Sequence, residues 1–282
     1  MLLISGESVT DTSLFPLEGL EETIFKRLNE DPDIHSYDSP GELRFEIALR
    51  NNIVASAALM EKGESRFETF AGSQSNPDYW QLTDTGGFLI RKDVKPSDAI
   101  SDIFTNSQEY AFECATAKVI IYYHAILNTI GERVFNNYFQ DLYLYSWHFD
   151  PDLVMQSTDT YHFIPGDVVY FKNPDFNPQT FWWRGENAVV MGDGKYFGHG
   201  LGIKDADYII EFLNGTRKPD SDQPAYLTDY VARPSFTHLA KLFLTQRDKV
   251  RAKRHHYIIF HNKDSISCDR YLYYLYSHYL QN

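Results

Sequence analysis

From Cys114 to Gly131 the chain reads CATAKVIIYYHAILNTIG, a helical stretch apolar on nearly every side. A helix of that kind is not a surface helix; the rest of the chain has to be built around it. The remaining sequence can supply such layers. Hydrophobic residues make up 43% of the 282, with 20 Phe, 20 Tyr and 4 Trp among them, enough for a full core.

The flanking sequence divides into two textures. Residues 1–95 read as helix-rich. Ser39-Pro40-Gly41-Glu42 forms a capping box with Pro at the first helical position. It predicts a helix over Leu43 to Glu61, stopped by Gly63, and an earlier helix covers Leu17 to Leu28. Residues 64–95 read as irregular, with turns at Asn76-Pro77 and Gly86-Gly87. After the central helix a second one is expected from Glu132 to about Trp147. Beyond Ser157 the texture is that of strands. Val168 to Lys172 is β-branched and aromatic. Asn187–Met191 and Lys195–Ile203 form a hairpin about Gly192-Asp193-Gly194. A helix over Asp205 to Leu213 and a strand over Ala225 to Val231 follow. The order gives an α+β fold, with a helix bearing a cysteine ahead of an antiparallel sheet.

After about residue 243 the character changes. RDKVRAKRHH is basic and RYLYYLYSHYL is amphipathic and Tyr-rich, so this segment reads as an appendage that docks on the domain or on a partner. The whole chain carries a net charge of −13, which argues against nucleic acid or an anionic membrane as a partner. No apolar run approaches the ~20 residues of a bilayer span. The N-terminus is apolar for four residues without a basic segment, so no secretory signal is expected. Two cysteines, Cys114 and Cys268, are too few for a disulfide scaffold or a four-Cys zinc site.

Cys114 opens the buried helix, where unpaired N–H groups and the helix dipole favour a thiolate. Lys118, one turn on, would add to that, and the helix-start amides could hold an oxyanion. The competing reading is a buried structural thiol; Cys268 ranks below it. Of ten histidines, His199 is best placed, in Phe197-Gly198-His199-Gly200. The hairpin turn sets His199 opposite Asn187 or Ala188, with Glu186 in reach; a slip of one residue substitutes Asn187. Alone, His199 reads more readily as an edge-strand residue beside a solvated Glu. Together, a cysteine at a helix start and a following sheet with His and Glu or Asn are the papain-like order of parts.

Other groupings fade. Asp31, Asp33 and His35 lack the glycine and terminal Glu of a calcium loop. Gly192, Gly194 and Gly198 do not match a dinucleotide fingerprint. His148, Asp150 and Asp152 read as a solvated helix end, and His255-His256 as a surface pair. No Gly-x-Ser-x-Gly elbow is present.

Tyr110-Ala111-Phe112-Glu113-Cys114-Ala115-Thr116-Ala117 resembles the active-site segment of the small spore coat transglutaminases, protein-glutamine γ-glutamyltransferases of spore-forming bacteria. So do NPDYW (76–80), LYSWHF (144–149), PGDVVYFKNPDFNPQ (165–179), WRGEN (183–187) and KYFGHGLGI (195–203). The resemblance implies a papain-like, NlpC/P60-related α+β fold over 1–243, with 244–282 a divergent C-terminal extension. It implies a calcium-independent enzyme without cofactor or metal. The nucleophile falls on Cys114, the acid/base carboxylate on Glu186, the histidine on His199, and a second carboxylate on Glu113. Asn187 is a candidate for orienting or for the oxyanion, and Phe67, Trp147 and Trp183 fall on a substrate tunnel. The partners implied are coat proteins carrying glutamine and lysine, met in the mother cell and then in the spore coat. A monomer is expected. Lys118, where an apolar residue is expected, and Trp182, where a non-aromatic one is, depart from the pattern. The rivals are a cell-wall cysteine peptidase or amidase and an idle coat scaffold.

Overall fold

The structure is a computed structural model that describes residues 1–9, 15–244, 253 and 255–281. Most of the basic run after residue 246 lies outside the described residues.

The sequence features around Ser39 act as expected. Ser39 Oγ accepts from the Glu42 amide at 3.3 Å, and α2 (Pro40–Lys62) runs to a break at Gly63. It follows α1 (Leu20–Glu30) and packs along α4 (Cys114–Ile130), which is buried almost end to end. Between them, α3 (Pro96–Thr105) was not anticipated, although Pro96 at its first turn and Ala99, Ile100 and Ile103 on one side are its signal. α5 (Glu132–Tyr138) is half the expected length. The chain leaves the helix so that Leu142, Leu144 and Trp147 enter the core, and Tyr143–Leu144 pairs with Phe88–Leu89. With Trp80–Leu82 these make a small three-stranded sheet in the region that reads as irregular. Strands of two or three residues are too short for alternation to show in the sequence.

The main sheet has six antiparallel strands, β1 (Met155–Asp159), β2 (Val168–Lys172), β3 (Gly185–Gly192), β4 (Lys195–Gly198), β5 (Gly202–Asp205) and β6 (Tyr226–Pro234), in the order β5-β4-β3-β2-β6-β1. The strand anticipated over 195–203 breaks at Gly198, because Gly200 and Gly202 at φ +99° and +79° turn the chain back. α6 (Ala206–Gly215), capped by Asp205, covers one face of the sheet, and α4 lies against the other. α7 (Phe236–Leu244) and α8 (Cys268–Gln281) complete the fold. Tyr271, Leu272 and Leu275 of α8 sit in the same core as α4, so the tail docks on the domain. The acidic residues read as a solvated helix end are part of that docking. Asp150 is buried, and Lys253 Nζ reaches Asp150 Oδ1 at 2.9 Å and Asp152 Oδ2 at 2.6 Å. His148 is buried too, and His256 packs on Phe149. No helix among the described residues is long and apolar enough to cross a membrane.

A buried ion network ties α2 to the sheet. Arg50 reaches Glu46 and Asp167, each at 2.8 Å, and Tyr37 donates to Glu46. Removing one partner strands the others in a dry interior. Arg50→Ala is expected to cost about 3–5 kcal/mol, read as a fall in the urea unfolding midpoint at constant m-value.

Candidate active site

α4 begins where Glu113 caps it. Glu113 Oε2 accepts from the amides of Ala115 (2.9 Å) and Thr116 (3.2 Å). The helix-start amides expected to hold an oxyanion are thus occupied by a side chain. The other oxygen, Oε1, lies 3.4 Å from Cys114 Sγ. The sulfur is fully buried, with Ser265 Oγ at 3.2 Å and Asn187 Nδ2 at 3.5 Å. Asn187 and Glu186 come from β3, the strand that faces the start of α4.

The charges in this space press on one another. Burial, then the carboxylates of Glu113 and Glu186, push the Cys114 thiol well above its usual range, with Lys118 opposing. The thiol expected to ionise at a helix start is thus pushed up instead, first by burial and then by the carboxylates beside it, one of which fills the helix end. Burial raises Glu113 to about 7, helped by Asp264, and Glu186 to about 8, with Lys118 opposing. Both carboxyls are poised near neutrality, where a proton acceptor is most useful. Neither Glu186 oxygen has a hydrogen-bond partner among the described residues. Lys118, fully buried, donates to the Phe197 carbonyl at 3.3 Å and lies over the Phe197 ring. Burial lowers its pKa, and the charges of Glu186, Cys114 and Glu113 oppose that. Its ammonium thus rests on Phe197, and its charge acts on Glu186, Cys114 and Glu113.

The β3–β4 register pairs Ala188 with Gly198, so one step further His199 lies across from Asn187. Gly198 leaves room for Glu186, since a Cβ there would sit 3.0 Å from its carboxyl. The His199 ring stacks on Phe112 at 4.6 Å, and its Nε2 has no partner among the described residues. Burial and Lys118 lower its pKa to about 3, so it is neutral. Phe67 presents an edge to His199 and stacks on Trp183 at 5.5 Å. Trp147 is on a different wall, fully buried. Its loop is pinned by the Ser146 amide donating to Thr116 Oγ1 at 2.9 Å. Trp182 packs on Phe181, and Trp183 on Phe67 and Phe212, so the two indoles do differ in setting. Ser265, Thr116 and Tyr170, all close to the site, went unread in the sequence. A hydroxyl brought in by tertiary packing leaves no pattern in its neighbours.

A thiol at the start of a core helix, beside carboxyls from the cap and from a facing antiparallel sheet, marks a papain-like α+β fold. The pattern of the protein-glutamine γ-glutamyltransferase family matches residues 1–243. A protein-glutamine γ-glutamyltransferase of Halalkalibacterium halodurans is 47% identical over 277 residues, 98% of each chain. One from Bacillus pumilus is 40% identical over 245 residues, 99% of that relative but 86% of this chain. A solved transglutaminase from Geobacillus stearothermophilus, without its C-terminal extension, superposes with a TM-score of 0.70 at 45% identity, covering 72% of this chain and 97% of that one. The chain belongs to the protein-glutamine γ-glutamyltransferases, acyltransferases that act on protein glutamine.

Proposed function

We propose that Cys114 is the nucleophile, that Glu186 and Glu113 share the base role, and that this chain joins glutamine and lysine side chains of spore coat proteins. The observation that carries the reading is the burial of Cys114 Sγ, 3.4 Å from Glu113 Oε1, in a space that also holds the unpartnered Glu186 carboxyl. The thiol proton passes to a carboxylate as sulfur attacks the γ-carboxamide carbon. The C–N bond then breaks, and ammonia leaves with that proton. A lysine amine, reference pKa about 10.4, gives its proton to the same carboxylate and attacks the thioester. The isopeptide bond forms as the C–S bond breaks. Neutral His199 orients the cluster rather than holding charge. Phe67, Trp147 and Trp183 wall the passage and limit water at the thioester.

The partners are proteins carrying glutamine and lysine, and the chain acts as a monomer, in the mother cell and then in the coat. Residues 1–243 are the catalytic part, 244–282 an extension. The test is attachment of a fluorescent primary amine to a glutamine-bearing protein without added calcium. Covalent labelling with ammonia release is expected. Ammonia release without label would make the chain an amidase, and neither would end the reading.

A further inference from the structure

The tail does more than dock: residues 264–267 fill the site. Ser265 is fully buried and stands at φ +55°, a left-handed conformation that non-glycine residues rarely adopt. Such strain persists only where the surroundings over-determine it. Here all three polar groups of Ser265 meet active-site residues. Its amide donates to Glu113 Oε1 at 2.5 Å, its hydroxyl lies 3.2 Å from Cys114 Sγ, and its carbonyl accepts from Tyr170 at 3.0 Å. Asp264 Oδ1 accepts from the Phe70 amide at 2.9 Å, anchoring the segment from the other side.

The next carbonyl is the informative one. Ile266 O accepts from Trp147 Nε1 and from Asn187 Nδ2, each at 2.9 Å. The same Asn187 nitrogen lies 3.5 Å from the sulfur. Two fixed donors, one of them shared with the nucleophile, therefore converge on an amide carbonyl oxygen beside Cys114. The amides of Ala115 and Thr116 are taken by Glu113, so they are not available for this task. Two aimed donors are what an acyl-transfer site presents to the oxygen that gains charge.

We propose that Trp147 Nε1 and Asn187 Nδ2 form the carbonyl site for the donor glutamine, and that the backbone of residues 264–267 occupies it as an intramolecular inhibitor. This rests on Cys114 being the nucleophile. Glutamine enters only after the tail leaves. The family pattern ends at residue 243, which fits the tail's being an addition to the catalytic unit.

The test compares two changes at one residue in the full chain. Ser265→Pro cannot adopt φ +55° and loses the amide that binds Glu113. Ser265→Gly accepts the conformation readily. Ser265→Pro is expected to raise kcat/KM for a small glutamine peptide, and the iodoacetamide alkylation rate of Cys114, about tenfold or more together. Ser265→Gly should retain most of the protection. A folded Ser265→Pro chain whose thiol reacts no faster than wild type would overturn the proposal. Should that variant not fold, wild type decides it. Cys114 alkylation is followed against urea. Opening of the tail predicts reaction through a local event far less costly than global unfolding. Reaction only in step with global unfolding would show the tail to be core, and the inhibitor reading fails. Thiol accessibility is read without turnover, so this failure is distinct from failure of the nucleophile assignment. For the carbonyl site, Trp147→Phe should lower kcat about 100-fold with a smaller change in KM; an unchanged kcat rules out the indole as donor.

Discussion

Cys114→Ala is expected to abolish amine incorporation, a loss of at least about four orders of magnitude, as when other covalent enzymes lose their nucleophile. No other group near the site can form the thioester. Cys268, the second thiol, is buried at the start of α8 and pushed up by burial, and it has no carboxyl or amide partner like those that Glu113 and Asn187 give Cys114 among the described residues. The substitution deletes one buried atom, leaves the Glu113 cap of α4 in place, and relieves the carboxyls of a neighbour that competes for their protons. The variant should therefore fold and melt near wild type while remaining inert. Incorporation at the wild-type rate by the alanine variant would remove Cys114 from the reaction.

The closed site shields the resting thiol from water, but burial also raises the thiol and its carboxylates, since each charged form loses solvation. Lys118 offsets part of that cost, which gives a physical reason for a lysine on an otherwise apolar helix. The resting chain places peptide backbone, not solvent, against the sulfur.

Much of this was legible in local sequence, and what was not has common causes. Ser39 and Gly63 bound α2 by chemistry that acts within a turn, so the sequence marks them. The β3–β4 hairpin follows from Gly192-Asp193-Gly194, and sequence spacing put His199 opposite Asn187 or Ala188; the register shift between Val190 and Gly192 decides for Asn187. Residues 139–147 have helical composition, but Leu142, Leu144 and Trp147 stabilise the molecule more by entering the core than by extending α5, and only tertiary contacts decide that. The thiol of Cys114 is set by a related cause. A helix start lowers a thiol pKa when it is open to solvent, but burial raises this one, and Glu113 capping the helix adds to that. The tail was least legible. Ser265 and Ile266 act through backbone atoms, which any residue carries.

The second large effect belongs to the carboxyl pair. Glu113→Gln and Glu186→Gln are each expected to slow amine incorporation modestly, and the double variant by about 10²–10⁴-fold, the usual share of general base catalysis. Glutamine keeps the shape of each side chain, and at residue 113 it keeps an oxygen for the amides of Ala115 and Thr116. The pH profile tells the two apart. The base must be unprotonated, and burial holds both carboxyls above their usual value of 4.5, so wild-type activity should rise with pH over a higher range than an exposed carboxylate would give. Glu186→Gln should leave a single step, set by Glu113. Glu113→Gln should leave a single step at lower pH than Glu186 gives in the wild type, because the Glu113 charge helps to raise Glu186. Stability runs the opposite way. Both carboxyls bind protons more tightly in the folded chain than at their usual value of 4.5. Each therefore favours folding at low pH and withdraws that contribution as pH climbs from the unfolded value through the folded one. Above pH 8 the wild type carries two buried charges that the double variant lacks, so the inactive protein should melt at the higher temperature at pH 9 and lose that advantage near pH 5. Equal melting at both pH values would mean that the carboxyls are not held uncharged in the fold, and a double variant with wild-type turnover would place the base elsewhere.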